Sequence, residues 1–563
     1  MNRRALFKMA SLLGASKMAG ALTPSLHSAT AAKTSCKQKS KAPFKVMYSN
    51  DATNMLECVS PYHPSAPYDF DVNRLDDQYE KKVGPLTDDM IRASVDEAAG
   101  ADAQFLQPGY GWLAWWKSKV HPAANDYKWI QEQTGVPPDA FGRYVLSGGD
   151  MVKVFVDRCH ERGKAAFVSL RLNDPQTISF GPKDPYSVFV SRFYMEHPEY
   201  WLDKNSSKRD DRCQNWAIPE VRDYKFSFIK ELCENYDLDG FELDFMRNPC
   251  YFHLNETTVE QRVKIMTDFM ARVRRLLDET ARGGRHRWLC ARVPCFVDAF
   301  DPIGMDLQAM VDAGMEMVNV SASYFTVQQT NLPIMRKIVP DASIYLEMTH
   351  TTLTGPPIPA SWDSAPFLRT TDQQFYTAAN LAYARGADGV SFFNFFYYRE
   401  FGHAIKERGP FNEPPFHVMK HLGDTAWLRE QQQWYLLSKG GNNPTLLGDT
   451  PLPKIFHPRE RHIFMLDMAP NERNKKALLR LRAVQSAQGR TWNATLNGVK
   501  LEPTSYIAKP IDHPYNAYLG ESGQYACFTC PPDSIRDGKN QLILILENGE
   551  PVTIEYLDLV LNV

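Results

Sequence analysis

The stretch Tyr236-Asp237-Leu238-Asp239-Gly240-Phe241-Glu242-Leu243-Asp244-Phe245-Met246-Arg247-Asn248-Pro249 decides the fold. Side chains on a strand alternate faces, so Glu242 and Asp244 share one face and Phe241, Leu243 and Phe245 the other. The apolar set suits packing beneath a ring of helices. The acidic set then points into a parallel barrel, with Asp244 nearer the C-terminal rim where barrel enzymes carry their chemistry. Two carboxylates side by side in such a place are costly unless they are paired or one is protonated, the condition that tunes acid and base groups. The alternative is a structural ion pair with Arg247 or Arg292.

Outward from this strand, short β-rich runs alternate with longer helical stretches between about Pro43 and Tyr398. The runs are Phe44–Tyr48, Ala103–Leu106, Ala165–Leu170, Gly240–Phe245, Trp288–Val293, Met317–Ser321, Ile344–Glu347 and Gly389–Asn394. Alternation of this kind argues for βαβ units and a parallel sheet, and eight units predict a (β/α)₈ TIM barrel with insertions. Helix starts fall between the runs. Thr87-Asp88-Asp89 opens one that ends near Gly100, and Pro219-Glu220-Val221 opens another at a position where the missing proline N–H costs nothing. The second helix carries Tyr224, Phe228, Ile229 and Leu232 at helical spacing, a face for packing on the barrel.

After about His417 the pattern changes. Trp427–Leu437 reads as a final helix, followed by the breaker run Gly440-Gly441-Asn442-Asn443-Pro444. Short strands then follow at His462–Met465, Lys476–Val484, Trp492–Leu496, Gln541–Leu546 and Val552–Val563, with a hairpin turn at Asn497-Gly498. The organisation expected is a leader over residues 1–32, a catalytic barrel over 43–437 and a small all-β sandwich over 445–563. With 563 residues, more than one core is required.

The leader has the secretory pattern: Arg3-Arg4 near the start, an apolar run from Met9 to Leu22, and small residues up to Ala31-Ala32. The paired arginines followed by Leu6-Phe7-Lys8 resemble a twin-arginine signal, so the mature chain is expected outside the cytoplasm, periplasmic or extracellular. No stretch beyond it is long and apolar enough to span a membrane. The formal net charge of -2 and the absence of a basic block give nucleic acid no electrostatic footing. Ten cysteines all lie beyond the cleavage zone. Cys527-Phe528-Thr529-Cys530 has metal or redox spacing but no second pair beside it. Cys290 to Cys295 has the wrong order for a sulfatase-type modified cysteine. No His, Asp or Glu cluster has metal-site spacing, and no metal or cofactor is implied.

The blocks His197-Pro198-Glu199-Tyr200-Trp201-Leu202, Asn215–Tyr224 and Tyr236–Pro249 together resemble the family-10-like glycosyl hydrolases, barrels distantly related to the α-amylase clan. The resemblance spans about residues 43 to 400. It implies a carbohydrate substrate, and by position it makes Asp244 the nucleophile. The clan carries arginine two residues before that aspartate, where this chain has Glu242. Glycoside hydrolysis needs a second carboxyl group. Glu347, at the end of the seventh strand where many retaining barrel glycosidases place a glutamate, is the first choice, and Glu242 the next.

Substrate contacts are expected from several rim residues. Tyr110, Trp112, Trp115 and Trp116 follow the second strand as platforms for sugar rings, with core packing as the alternative. Arg171, Arg247, Arg292 and Arg399 sit at or near strand ends and suit charged sugars, or else balance the rim carboxylates. Asp174, His350 and Asn394 complete the set. Alternatives to a hydrolase are a non-catalytic carbohydrate-binding protein on the same scaffold, or a polysaccharide lyase.

Overall fold

The structure is a computed structural model that describes residues 41–57, 85–175, 189–206, 210–353, 367–398, 414–438, 451–470, 477–505 and 522–561. The leader and Arg399 lie outside the described residues. Residues from Lys41 onward form one compact unit.

The strands are β1 (Val46–Asp51), β2 (Ala103–Gln107), β3 (Ala165–Arg171), β4 (Gly240–Asp244), β5 (Trp288–Pro294), β6 (Met317–Ser321) and β7 (Ser343–Thr349). A two-stranded ribbon follows, β8 (Thr351–Leu353) with β9 (Phe367–Arg369), and then β10 (Gly389–Phe393). Strands β1 to β7 and β10 close into a barrel in which every pairing is parallel. All eight runs read from the sequence are barrel strands.

Alternation along each strand sets what fills the barrel. At the N-terminal end the interior is apolar, with Met47, Phe105, Phe167, Met317 and Tyr345 in one buried cluster and the Phe105 and Phe167 rings stacked at 4.4 Å. Gly240 of β4 is required there: a Cβ would come within 2.0 Å of the Phe167 ring. Two residues further along β1, β3 and β4 the interior carries Ser49, Ser169 and Glu242, and two further again Asp51, Arg171 and Asp244. The outward face of β4, Phe241 and Leu243, joins the helix-side core.

Around the barrel, helix Asp88–Glu97 is capped by Thr87, whose side chain accepts from Met90 N–H. Helix Pro219–Asn235 starts on its proline and buries Val221, Phe228, Ile229 and Leu232. Helices Val259–Glu279 and Asp372–Ala384 both carry full capping boxes, Thr258 with Gln261 and Thr371 with Gln374. None of the described helices is long and apolar enough to cross a membrane.

The C-terminal part is two stacked antiparallel sheets. Its strands are β11 (Gln433–Ser438), β12 (Lys454–Phe456), β13 (Arg461–Met468), β14 (Ala477–Ala483), β15 (Thr491–Leu496), β16 (Val499–Lys500), β17 (Glu502–Thr504), β18 (Tyr525–Cys530), β19 (Gly538–Asn548) and β20 (Val552–Leu561). One sheet runs β11-β20-β14-β18-β17 with β12 also on β20, and the other β13-β19-β15-β16. The helix expected over Trp427–Leu437 is corrected: it covers only Thr425–Glu430, and Gln433–Ser438 is a strand paired with β20. The sandwich therefore begins ahead of residue 445. Tertiary pairing overrides the helical spacing because β20 offers this segment a complete ladder and a core for Tyr435 and Leu437.

The sandwich braces the barrel. Gln328 donates to Trp434 O and accepts from Leu436 N, Gln329 makes the same two-way contact with Asp467, and Arg385 holds the Asp467 carboxylate at 2.6 Å. Cys527 and Cys530 are both free and buried, and they belong to different clusters, Cys527 with Leu478 and Tyr525 and Cys530 in the sandwich core. They do not form a pair.

Candidate active site

The polar layer of the barrel is organised around Glu242. Its carboxyl accepts from Ser169 Oγ at 2.7 Å, from Asn319 Nδ2 at 3.1 Å and from the Cys290 thiol at 3.4 Å. Burial, first, and then the nearby charge of Asp244 push its pKa up to about 7, against the pull of the Ser169 hydrogen bond. Ser391 fixes Asn319 from the far side at 2.5 Å.

Above it lies the charged layer. Register places Arg171, Asp244 and Arg292 side by side on β3, β4 and β5. Arg292 reaches across the mouth: its Nε and Nη2 donate to the two oxygens of Glu347 at 2.7 and 2.6 Å, and its Nη1 donates to both oxygens of Asp244 at 3.2 Å. Asp244 also accepts from Met246 N–H at 2.7 Å and from Gln107 Nε2 at 3.2 Å. Glu347 accepts from Ser321 Oγ at 2.6 Å and Asn319 Nδ2 at 3.3 Å. Both carboxylates are fully buried, at 0 % exposure. Burial raises the Glu347 pKa above its usual value even though Arg292 pulls it down. The Arg292 guanidinium itself lies 4.1 Å over the Phe393 ring. The two carboxylates singled out from sequence are thus brought together, by the arginine read as either a substrate contact or a charge partner.

A second cluster adjoins the first. Arg171 donates to Asp51 and, at 3.0 Å, to Asp174. Burial opposes its charge, but those two carboxylates outweigh it and hold the guanidinium protonated. Arg247 donates to the Tyr324 hydroxyl and approaches Asp174 at 3.9 Å. Asn394, in the left-handed region at φ 54°, accepts from Asp51 N–H and from Asn54. His350 packs near Tyr397 and Tyr324 at ring separations of 5.0 and 6.4 Å.

The aromatic loop after β2 divides in two. Trp115 is core, stacked on Phe141 at 4.0 Å, and Trp116 is buried with its Nε1 on Glu231. Tyr110 and Trp112 line a cleft together with Trp116, Arg171, Asp174, Lys225 and Phe228. Asp51, Gln107, Ser321, Tyr324 and Lys225 are site neighbours that the sequence reading missed. For Asp51 and Gln107 a signal existed, a polar residue at the C-terminal end of a barrel strand. For Lys225, on a helix face, there was none.

No family model and no curated protein matches the sequence. Solved structures do. The chain is similar to alpha-L-fucosidase isoenzyme 1 from Paenibacillus thiaminolyticus, at 13% identity over 90% of this chain and 97% of that one, TM-score 0.36. It is also similar to an alpha-L-fucosidase GH29 from Bacteroides thetaiotaomicron, at 12% identity over 90% and 94%, TM-score 0.35. A third likeness is to a GH138 enzyme targeting pectin rhamnogalacturonan II, at 11% identity over 69% and 39%, TM-score 0.38. Among the described residues no group of His, Cys, Asp and Glu is disposed to hold a metal ion.

Proposed function

We propose that the chain is an exported glycoside hydrolase, with Asp244 and Glu347 as its carboxyl pair. The observation that carries the reading is the convergence of these two strand-end carboxylates on Arg292 at the C-terminal mouth of a closed barrel. The arginine that the α-amylase clan carries two residues before its nucleophile is missing at Glu242. Arg292 offers an equivalent cation to Asp244 from the neighbouring strand. Four hydrogen-bond donations hold Asp244 oriented, which suits a nucleophile facing an oxocarbenium-like transition state. Glu347, whose pKa burial raises, then serves as the proton donor and acceptor. Glu242 lies one layer deeper and acts as a positioning group, fixing Asn319 beneath Glu347. Tyr110, Trp112, Arg171, Asp174, Arg247, His350 and Asn394 supply the substrate contacts. Export rests on the leader, residues 1–32.

One observation favours a second reading, a carbohydrate-binding protein without catalysis: every oxygen of Asp244 and Glu347 already accepts a hydrogen bond. The test is release of new reducing ends from neutral, uronic and sulfated polysaccharides by wild type and Asp244→Asn. Release by wild type with a loss of about 10²–10⁴ in the variant fits a group that acts on the reacting bond. Equal release by both removes Asp244 from the reaction. Binding without cleavage supports the second reading, and product absorbance from a new double bond would instead mark a lyase.

A further inference from the structure

Lys225 sits in the middle of helix Pro219–Asn235 and is only 3% exposed. A lysine so buried is almost always paired. This one makes no hydrogen bond or ion pair among the described residues; its Nζ lies 3.6 Å from the Trp112 ring centroid and 5.7 Å from that of Phe228. It lines the cleft shared by Tyr110, Trp112, Arg171 and Asp174.

The Trp112 side of the cleft, in contact with Lys225, is unusual in a second, independent way. Trp112 has φ 65°, in the left-handed region that a bulky side chain rarely occupies, and it follows Gly111 at φ 58°. A strained residue of this kind persists where surroundings fix it and clusters at ligand sites. The indole Nε1 of Trp112 is buried without a hydrogen-bond partner among the described residues. Two donors that line the cleft, an ammonium held over aromatic rings and an indole N–H, therefore have no hydrogen-bond acceptor among the described residues. Asp174 is the nearby acid, but it already accepts from Arg171. His121, which packs against Phe228 at 4.5 Å, bonds to Ser227.

We propose that this cleft binds the anionic substituent, carboxylate or sulfate, of a sugar unit, with Lys225 Nζ as its charge partner and the Trp112 indole N–H as a further donor. That the ligand is a sugar rests on the hydrolase reading; that it is an anion rests on these two unanswered donors. Burial pushes the Lys225 pKa down to about 7, with the Asp174 charge acting the other way. An incoming anion supplies what keeps the amine charged.

Isothermal titration of the full chain with D-glucuronate, D-glucose 6-sulfate and D-glucose tests this. One or both anionic sugars should bind at least about tenfold more tightly than D-glucose, the scale of one charge-assisted hydrogen bond. The preferred one identifies the substituent. Lys225→Met, which leaves an apolar chain against Trp112 and Phe228, should erase that margin and leave D-glucose binding unchanged. A readout without any substitution is trinitrophenylation of Lys225 followed by peptide mass mapping: the anionic sugar should protect it, D-glucose should not. Equal affinity for charged and neutral sugars, an unchanged Lys225→Met, or no protection overturns the proposal. The two readings fail separately. Binding through Lys225 with no glycan cleaved sinks the hydrolase and leaves this site standing. Cleavage of a neutral glycan equally by wild type and Lys225→Met, with no anionic sugar bound, does the reverse.

Discussion

Arg292→Gln is the perturbation that most directly interrogates the charged layer. The guanidinium makes four donations to two fully buried carboxylates, and no other described cation touches either Asp244 or Glu347. Removing one partner of a buried ion pair costs about 3–5 kcal/mol, because the remaining charge stays desolvated. Glutamine restores at most two of the four hydrogen bonds, so a loss of about 4 kcal/mol at a pH of about 7.5 is expected. The pH dependence is the sharper criterion. Arg292 is what pulls the Glu347 pKa down against burial, so in the variant the folded-state pKa of Glu347 rises further above its unfolded value. A raised carboxyl pKa gives stability that is present below the unfolded pKa and lost as pH rises through the folded one. The deficit of the variant should therefore shrink on going from about pH 7.5 to about pH 5. Urea unfolding followed by tryptophan fluorescence, run on both proteins at the two pH values, reads this. A deficit under about 1 kcal/mol, or one that is the same at both pH values, would refute a charge-compensating role for Arg292.

Other expectations follow from single features. Glu242, with its pKa raised to about 7 from an ordinary 4.5, makes the wild type lose roughly 3 kcal/mol as pH rises from 4.5 through 7; Glu242→Gln should flatten that slope in a stability–pH profile. Asp558→Ala in the sandwich strips the partner of Arg480, Trp434 Nε1 and the Tyr556 hydroxyl, and should cost about 3–5 kcal/mol by urea unfolding. Gly240→Ala drives a methyl into the Phe167 ring; a loss of about 1–3 kcal/mol is expected by the same assay.

How much of this is legible beforehand depends on whether the signal is local. Period-two alternation in Gly240–Asp244 is local: it sets Phe241 and Leu243 against helices and turns Glu242 and Asp244 inward whatever the neighbours are. The same holds for all eight barrel strands and for the capped helix starts. Helical spacing misleads at Gln433–Ser438 because the pairing partner of that segment, β20, lies more than a hundred residues away. The aromatic loop reads as one platform in sequence, yet Trp115 packs on Phe141 while Trp112 lines a cleft. Neighbours in sequence part because a left-handed backbone at Trp112 turns the chain between them.

The sequence by itself therefore determined the barrel, the C-terminal sandwich and the inward carboxylates, since strand alternation and turn chemistry act over a few residues. Tertiary structure decided which charges answer which. Closure of β1 onto β10 brings Glu347 and Asp244 from β7 and β4 to the same arginine, and Lys225 faces a cleft without a hydrogen-bond partner among the described residues. Those encounters are made by the register of strands and the docking of a helix, and their energies depend on burial, which no local pattern encodes.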